Sequence, residues 1–317
     1  MRETREDKVQ GYDIIGDIHG HAEVLENLLE HMGYEQGGTG YSHPNRKVVF
    51  LGDFIDRGEE LRQHRRLLDT VMAMVDNDHA LAVMGNHEFN ALAFHTINEG
   101  NPLRAHDEKN IKQHRAFLNE FAHDPDEKAR VLAFFYRLPL WLELELGAQK
   151  MRVIHACWSE AHLRTAQDIL ADARLSEASL ISASEEGTAL FEAVEVLLKG
   201  YETSLPEGIT FLDKDKNARD AVRVQWWKDT ASTLGEVALP LGVDLQEAAA
   251  LPVPRGMPRY GREEVPCFIG HYWLNGAPGP LADNVACLDY SIAKSGKLVA
   301  YRWSGEQSLD RKNFTWC

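Results

Sequence analysis

Short apolar runs punctuate the chain at Tyr12–Ile15, Lys47–Leu51, Ala80–Met84, Met151–Ile154 and Cys267–Ile269. They are too short for helices and are bounded by turn residues, so they predict buried strands. Val285–Asp289 and Leu298–Trp303 extend the set. Between the first runs, apolar positions recur at helical spacing over Ala22–His31 and Leu61–Asp76. Strand, helix, strand is the grammar of an α/β fold. The rhythm breaks twice. Glu99–Lys128, polar and rich in charge and histidine, predicts helix, and Ser159–Leu251 predicts mostly helix, with Thr188–Lys199 its clearest stretch. The strand pattern resumes after the second break and neither break ends in a linker. Both therefore read as insertions into a single domain over 1–317, with a core of about 11–158 and 263–305 and helical insertions of about 95–140 and 159–262. Pro252–Arg262 reads as a loop returning to that core, and Gly37–Gly40 as a turn.

Composition narrows the classes. A chain of 317 residues with 26% charged and 44% hydrophobic positions is an ordinary globular one. A net charge of −15 argues against a nucleic-acid polymer, which Lys and Arg would have to neutralise, and against an anionic membrane surface. Met1–Gln10 is polar and lacks the apolar centre of a secretory signal, and no apolar run reaches the roughly 20 residues of a membrane span. The four cysteines (Cys157, Cys267, Cys287, Cys317) form no C-x-x-C pair. These features together read as a cytoplasmic, reduced protein. The oligomeric state is not legible in the sequence.

The chemistry lies in the residues directly after each apolar run. Gly16-Asp17-Ile18-His19-Gly20 succeeds the first, Gly52-Asp53-Phe54-Ile55-Asp56-Arg57-Gly58 the second, and Gly85-Asn86-His87-Glu88 the third. His155 comes after Met151–Ile154, and Gly270-His271 after the fifth run. In open α/β sheets ligands bind beyond the carboxyl ends of strands, so parallel neighbours would bring these donors together. Any one Asp, Asn or His there could merely cap a helix or close a turn. Five chemically matched strand ends are not explained by separate local needs. Asp17, His19, Asp53, Asn86, His155 and His271 form a thiolate-free set that suits divalent manganese, iron, zinc or nickel. Six side chains exceed what one catalytic ion takes while keeping an open position, whereas a pair of ions about 3.5–4 Å apart uses them all.

G-D-x-H-G, G-D-x-x-D-R-G, G-N-H-E, a single His and G-H together resemble the calcineurin-like metallophosphoesterases, in particular the phosphoprotein phosphatase branch that includes bacterial diadenosine tetraphosphatases. His43-Pro44-Asn45-Arg46-Lys47 ahead of the second motif has a bacterial look. The resemblance covers about Gly11–Trp158 and Pro266–Ser304. Trp273 stands where many phosphodiesterases of the superfamily place a second His, which favours the phosphatase branch. His155-Ala156-Cys157 departs from the His-Gly-Gly of eukaryotic protein phosphatases, and Glu59 replaces a common proline.

The resemblance implies a sandwich of two mixed β-sheets flanked by helices, with helical insertions. It implies that Asp17 and His19 bind a first metal, that Asp53 bridges, and that Asn86, His155 and His271 complete a second site, with manganese the leading ion. It further implies that a hydroxide bridging the metals attacks phosphorus in line, that His87 protonates the leaving oxygen, and that Asp56 orients His87. Arg57 would clamp phosphate, for which a planar fork is suited. Arg219, Arg223 and Arg255 are candidates for a second phosphate-binding arginine, and Arg223, beside Trp226-Trp227, is favoured. Two divalent ions, two carboxylates and one hydroxide leave a local charge of about +1, enough to draw a phosphate into an anionic protein. Trp158, Trp273 and the Trp226-Trp227 pair read either as an aromatic wall for a nucleobase or as core, with core favoured for the pair. His95, His106, His114 and His123 read as solvated. The implied function is hydrolysis of a phosphomonoester or phosphoanhydride of a small molecule, with a dinucleoside polyphosphate one version; the alternative is a protein serine/threonine phosphatase.

Overall fold

In the computed structural model the residues described are 9–57, 61–212 and 217–317. Gly58 and Glu59 of the second motif, and Met1–Lys8 of the polar N-terminus, lie outside them. Two mixed sheets form the centre. One runs in the order Asp289–Tyr290, Lys297–Trp303, Gly11–Ile15, Arg46–Phe50, Ala80–Ala82, with Phe314–Trp316 also on Lys297–Trp303. Gly11–Ile15, Arg46–Phe50 and Ala80–Ala82 are mutually parallel, and Lys297–Trp303 is antiparallel to Gly11–Ile15. The other runs Val285–Cys287, Cys267–Ile269, Gln149–Ile154, Trp141–Leu146, parallel except for its last pair.

The period-two alternation of strand side chains explains the layers. Ile14, Val49 and Leu51 point inward, into one cluster with Met151, Val153 and Phe268 of the facing sheet. Ile15, Val48 and Phe50 point outward, into a second cluster shared with Leu25 and Leu29 of helix Ala22–His31 and Leu67 and Val71 of helix His64–Asp76. Strands buried on both faces are mostly apolar, which is why the sequence shows them as short apolar runs; Asp13 is a buried exception, paired with Arg46 and Arg302.

The donor-bearing strands divide between the two sheets, three in the first and two in the second, and their carboxyl ends meet at one end of the sandwich. One expectation is corrected: Ser159–Leu251 is helical mainly in its first part, through Glu160–Gln167, Glu177–Ser184 and Ala189–Lys199, with only the short turns Leu234–Val237 and Gln246–Ala250 after Gly200. Beyond Gly200 it forms short strands, Glu202–Ser204 on Ala221–Val224 on Ala238–Leu239, around their own small core of Val222, Val224, Leu234 and Val237. Among the described residues no helix is long and apolar enough to cross a membrane.

Candidate metal centre

The loops leaving the strands are tightly bent. His19, Asp53, Asp56, Arg57, His271 and Trp273 all hold φ between 47° and 70°, where non-glycine residues are rare. Such strain persists only where surrounding structure over-determines it, and here it collects on the candidate residues. Gly52 has φ +86°, and a Cβ on it would lie 2.3 Å from the Gly85 nitrogen, so the Asp53 and Asn86 loops can touch only because it is glycine. Glu88 ties the same two loops together. Its carboxylate, fully buried, accepts the amides of Asp53 (2.7 Å), Gly85 (3.0 Å) and Phe54 (2.9 Å).

Asp53 lies at the middle of the donors. Its Oδ1 is 3.4 Å from His155 Nε2, and its Oδ2 is 3.8 Å from His19 Nε2 and 3.9 Å from His87 Nε2. The carboxylate thus divides between two groups of imidazoles, as a bridge between two ions requires. Asn86 Oδ1 lies 3.1 Å from His155 Nε2 and 2.7 Å from His271 Nδ1. Two atoms bound to one ion at about 2.1 Å sit roughly 3.0–3.4 Å apart, so the distances of His155 Nε2 from Asn86 Oδ1 and from Asp53 Oδ1 fit a shared coordination sphere, while Asn86 and His271 are at direct hydrogen-bond distance. His19 Nδ1–H donates to the Ile55 carbonyl (2.9 Å) and His155 Nδ1–H to that of Leu51 (2.7 Å), which turns each Nε2 lone pair into the site. His19 Nε2 is buried without a hydrogen-bond partner among the described residues, an arrangement a cation would relieve. The donor set therefore fits divalent ions. Asp17 sits to one side: its carboxylate accepts the His271 amide at 3.1 Å, and the close groups are His19, Asp53 and His87 on one side of the site and Asp53, His155 and His271 on the other.

Buried carboxylates and imidazoles shift one another strongly. Burial and the neighbouring Asp289 push Asp17 well above the usual carboxylate range. Burial would also raise Asp53, but the imidazoles of His155 and His87 outweigh it and hold it well below that range. Burial would lower His155, yet Asp53 and Asp17 hold its pKa up to about 10. Burial and His87 lower His19 to about 3, and burial and Arg223 lower His271.

His87 Nδ1 is bound to Asp56 Oδ2 at 2.7 Å. Burial alone would favour its neutral ring, but Asp53 and Asp56 outweigh this and raise its pKa above the ordinary histidine value. The Arg57 guanidinium lies 5.1 Å from the Trp273 ring centroid, and its Nε is buried without a partner. Trp273 is half-buried beside His19, with the Lys294 ammonium 4.8 Å from its ring. Trp158 and Trp226 are core residues, the latter donating to the Ala156 carbonyl at 3.1 Å. Arg223 pairs with Glu202 at 2.8 Å and, with Arg219, lines an open cavity of about 590 Å3 that also touches Tyr272 and Trp273. Arg255 is exposed and is not among the residues lining that cavity. The solvated reading of two histidines is corrected: His114 is buried on Asp56 and His95 is half-buried against it, because helix Glu108–Glu120 lays an apolar face of Ala116 and Phe117 inward. Sequence reasoning also missed Asp289, whose Oδ2 accepts the Trp273 amide at 2.7 Å; no local signal marked it.

Residues 12–154 match the family model described as Calcineurin-like phosphoesterase. Among curated proteins, the chain is similar to asymmetrical bis(5'-nucleosyl)-tetraphosphatases PrpE. It is 32% identical over 135 residues to that of Oceanobacillus iheyensis (42% of this chain, 51% of the relative) and 43% identical over 77 residues to that of Anoxybacillus flavithermus (24% and 30%). The chain thus spans about half or less of the length of these relatives. Among solved structures, a serine/threonine phosphatase from Saccharomyces cerevisiae aligns over 98% of this chain and 79% of its own, with 15% identity and a TM-score of 0.46. The segment that carries Asp17, His19, Asp53 and Asn86 is thus a calcineurin-like phosphoesterase segment.

Proposed function

We propose that the chain is a two-metal phosphatase acting on a small phosphorylated molecule, and that its substrate is a dinucleoside polyphosphate. The observation that carries the reading is the division of the Asp53 carboxylate between His19 on one oxygen and His155 on the other. The proposed ligands are Asp17, His19 and Asp53 for one ion and Asp53, Asn86, His155 and His271 for the second. Divalent ions, when bound, supply Lewis acidity that makes water a nucleophile near neutral pH.

The chain's own residues supply the rest. Arg57, with an unpaired Nε and a guanidinium held near Trp273, grips phosphate oxygens. His87 keeps a proton on Nε2 for the leaving oxygen, since Asp56 occupies Nδ1 and favours the charged ring. Arg223 and Lys294 border the adjoining cavity, whose size falls within the range of roughly 300–1,000 Å3 typical of small-molecule sites. A cleft carrying cations and Trp273 suits further phosphates and a base. The tetraphosphatase activity for which the PrpE relatives are named supports the same substrate class. The test is incubation of manganese-loaded protein with diadenosine tetraphosphate and with p-nitrophenyl phosphate. Turnover of both supports the reading; turnover of the ester alone removes the dinucleotide. Turnover of neither refutes the phosphatase.

A further inference from the structure

The carboxylate that holds His87 has a second imidazole on its other oxygen. Asp56 Oδ1 lies 2.7 Å from His114 Nδ1, matching the 2.7 Å from Oδ2 to His87 Nδ1. Asp56 and His114 are both nearly inaccessible to solvent, at 2% and 4% exposure. His114 comes from helix Glu108–Glu120, 58 residues along the chain from Asp56, so local turn formation does not explain the contact. The helix is set by its Asp107 cap, which accepts the Asn110 amide at 2.7 Å. The His114 ring is stacked on Phe117 with centroids 4.7 Å apart and planes 17° from parallel, and the Phe94 ring centroid lies 5.2 Å from it. Its Nε2 is 3.2 Å from His95 Nε2. Burial, with His114 beside it, drives His95 down to about 3, so its ring is neutral. An ionised carboxylate only accepts, so the Asp56–His114 contact places an N–H on His114 Nδ1, facing Asp56.

A carboxylate held on one oxygen can swing about its Cβ–Cγ bond; one held on both cannot. We propose that His114 is a positioning residue: by pinning Asp56 Oδ1 it fixes the carboxylate plane, and so the direction in which His87 delivers its proton. Asp56 supports this, for although burial raises its pKa, His114 and His87 together hold it well below the carboxylate range, as an anion shared by two donors. His95 is the outer member of the chain His95–His114–Asp56–His87. The proposal rests on the reading of His87 as proton donor to the leaving group.

The experiment compares His114→Phe and His114→Asn with the parent protein, all loaded with manganese. Phenylalanine keeps the stack on Phe117 but offers no donor; asparagine offers an N–H near the position of Nδ1. The substrates are phenyl phosphate, whose leaving group needs a proton, and p-nitrophenyl phosphate, whose leaving group needs it far less. His114→Phe should lower kcat on phenyl phosphate about tenfold more than on p-nitrophenyl phosphate, and His114→Asn should recover most of that difference. Bound manganese should remain at the parent value in both variants. Proton NMR of the metal-free protein should show two downfield Nδ1–H signals, one of them lost in His114→Phe. Equal losses on both esters, or both NMR signals persisting in His114→Phe, overturn the proposal. No hydrolysis of either ester, nor of diadenosine tetraphosphate, by the parent protein refutes the phosphatase reading instead.

Discussion

Gly270→Ala asks whether the donor loops are as closely packed as the geometry requires. An added Cβ would lie 2.1 Å from Asp17 Oδ1 and 3.2 Å from its Cγ. The backbone cannot give way easily: the Gly270 amide donates to the His155 carbonyl at 2.8 Å and its own carbonyl accepts the Tyr272 amide at 2.9 Å. Asp17 must therefore move. A carbon and an oxygen not bonded to one another approach to roughly 3.3 Å, so the carboxylate has to retreat by about 1.2 Å. A metal–oxygen bond of about 2.0–2.2 Å tolerates only ~0.2 Å. The expected result is loss of at least one bound ion and a fall in rate of at least about a hundredfold, with a stability cost of only about 1–3 kcal/mol because the overlap is local. Elemental analysis after manganese loading, steady-state rates on p-nitrophenyl phosphate and urea unfolding read these quantities separately. Gly38→Ala, with nothing within 4 Å of the new carbon, is the control. A Gly270→Ala protein that binds as much manganese as the parent and keeps its rate within about threefold would show that Asp17 is not held where a metal needs it.

Asp53→Asn should keep the fold, since an amide oxygen can still accept the His87 amide bond that spans 3.0 Å, yet lose manganese and at least about a hundredfold in rate; metal analysis with circular dichroism checks both halves. In the metal-free protein His155 keeps its proton up to about pH 10, and that proton must leave before Nε2 can bind an ion. Apparent manganese affinity should therefore rise with pH, by up to about tenfold per unit between pH 6.5 and 10; calorimetric titration in buffers of different ionisation heat measures the proton released, and a pH-independent affinity contradicts it. Trp273→Ala should raise KM for diadenosine tetraphosphate about tenfold more than for p-nitrophenyl phosphate if the ring stacks a base; equal changes on both substrates exclude that role.

The donors were legible because each is a local event: a short, mainly apolar run followed at once by Asp, Asn or His. Which strands pair was not, since Gly11–Ile15 and Gln149–Ile154 are equally apolar and the sheet each joins is decided by distant edges. Trp141–Leu146 was overlooked although its alternation of Leu and Glu carries the period-two signal of an edge strand with one wet face. The strands between Gly200 and Leu239 are two to four residues long, below the window in which any periodicity shows, and form by pairing with distant partners, as Glu202 opposite Arg223, around a small core of their own. His114 looked solvated because its neighbours Lys112 and Arg115 are charged; its burial depends on where the whole helix docks. Asp56, by contrast, could be assigned to His87 from the motif, and the structure adds that its second oxygen is also taken.

Two ions sharing the Asp53 carboxylate should be visible by anomalous diffraction from a manganese-soaked crystal. Two peaks are expected about 3.5–4 Å apart, both in contact with the Asp53 carboxylate, one beside His19 and the other beside His155 and His271. A single peak, or two that do not both touch Asp53, would mean that the carboxylate is not a bridge and that the centre is not dinuclear.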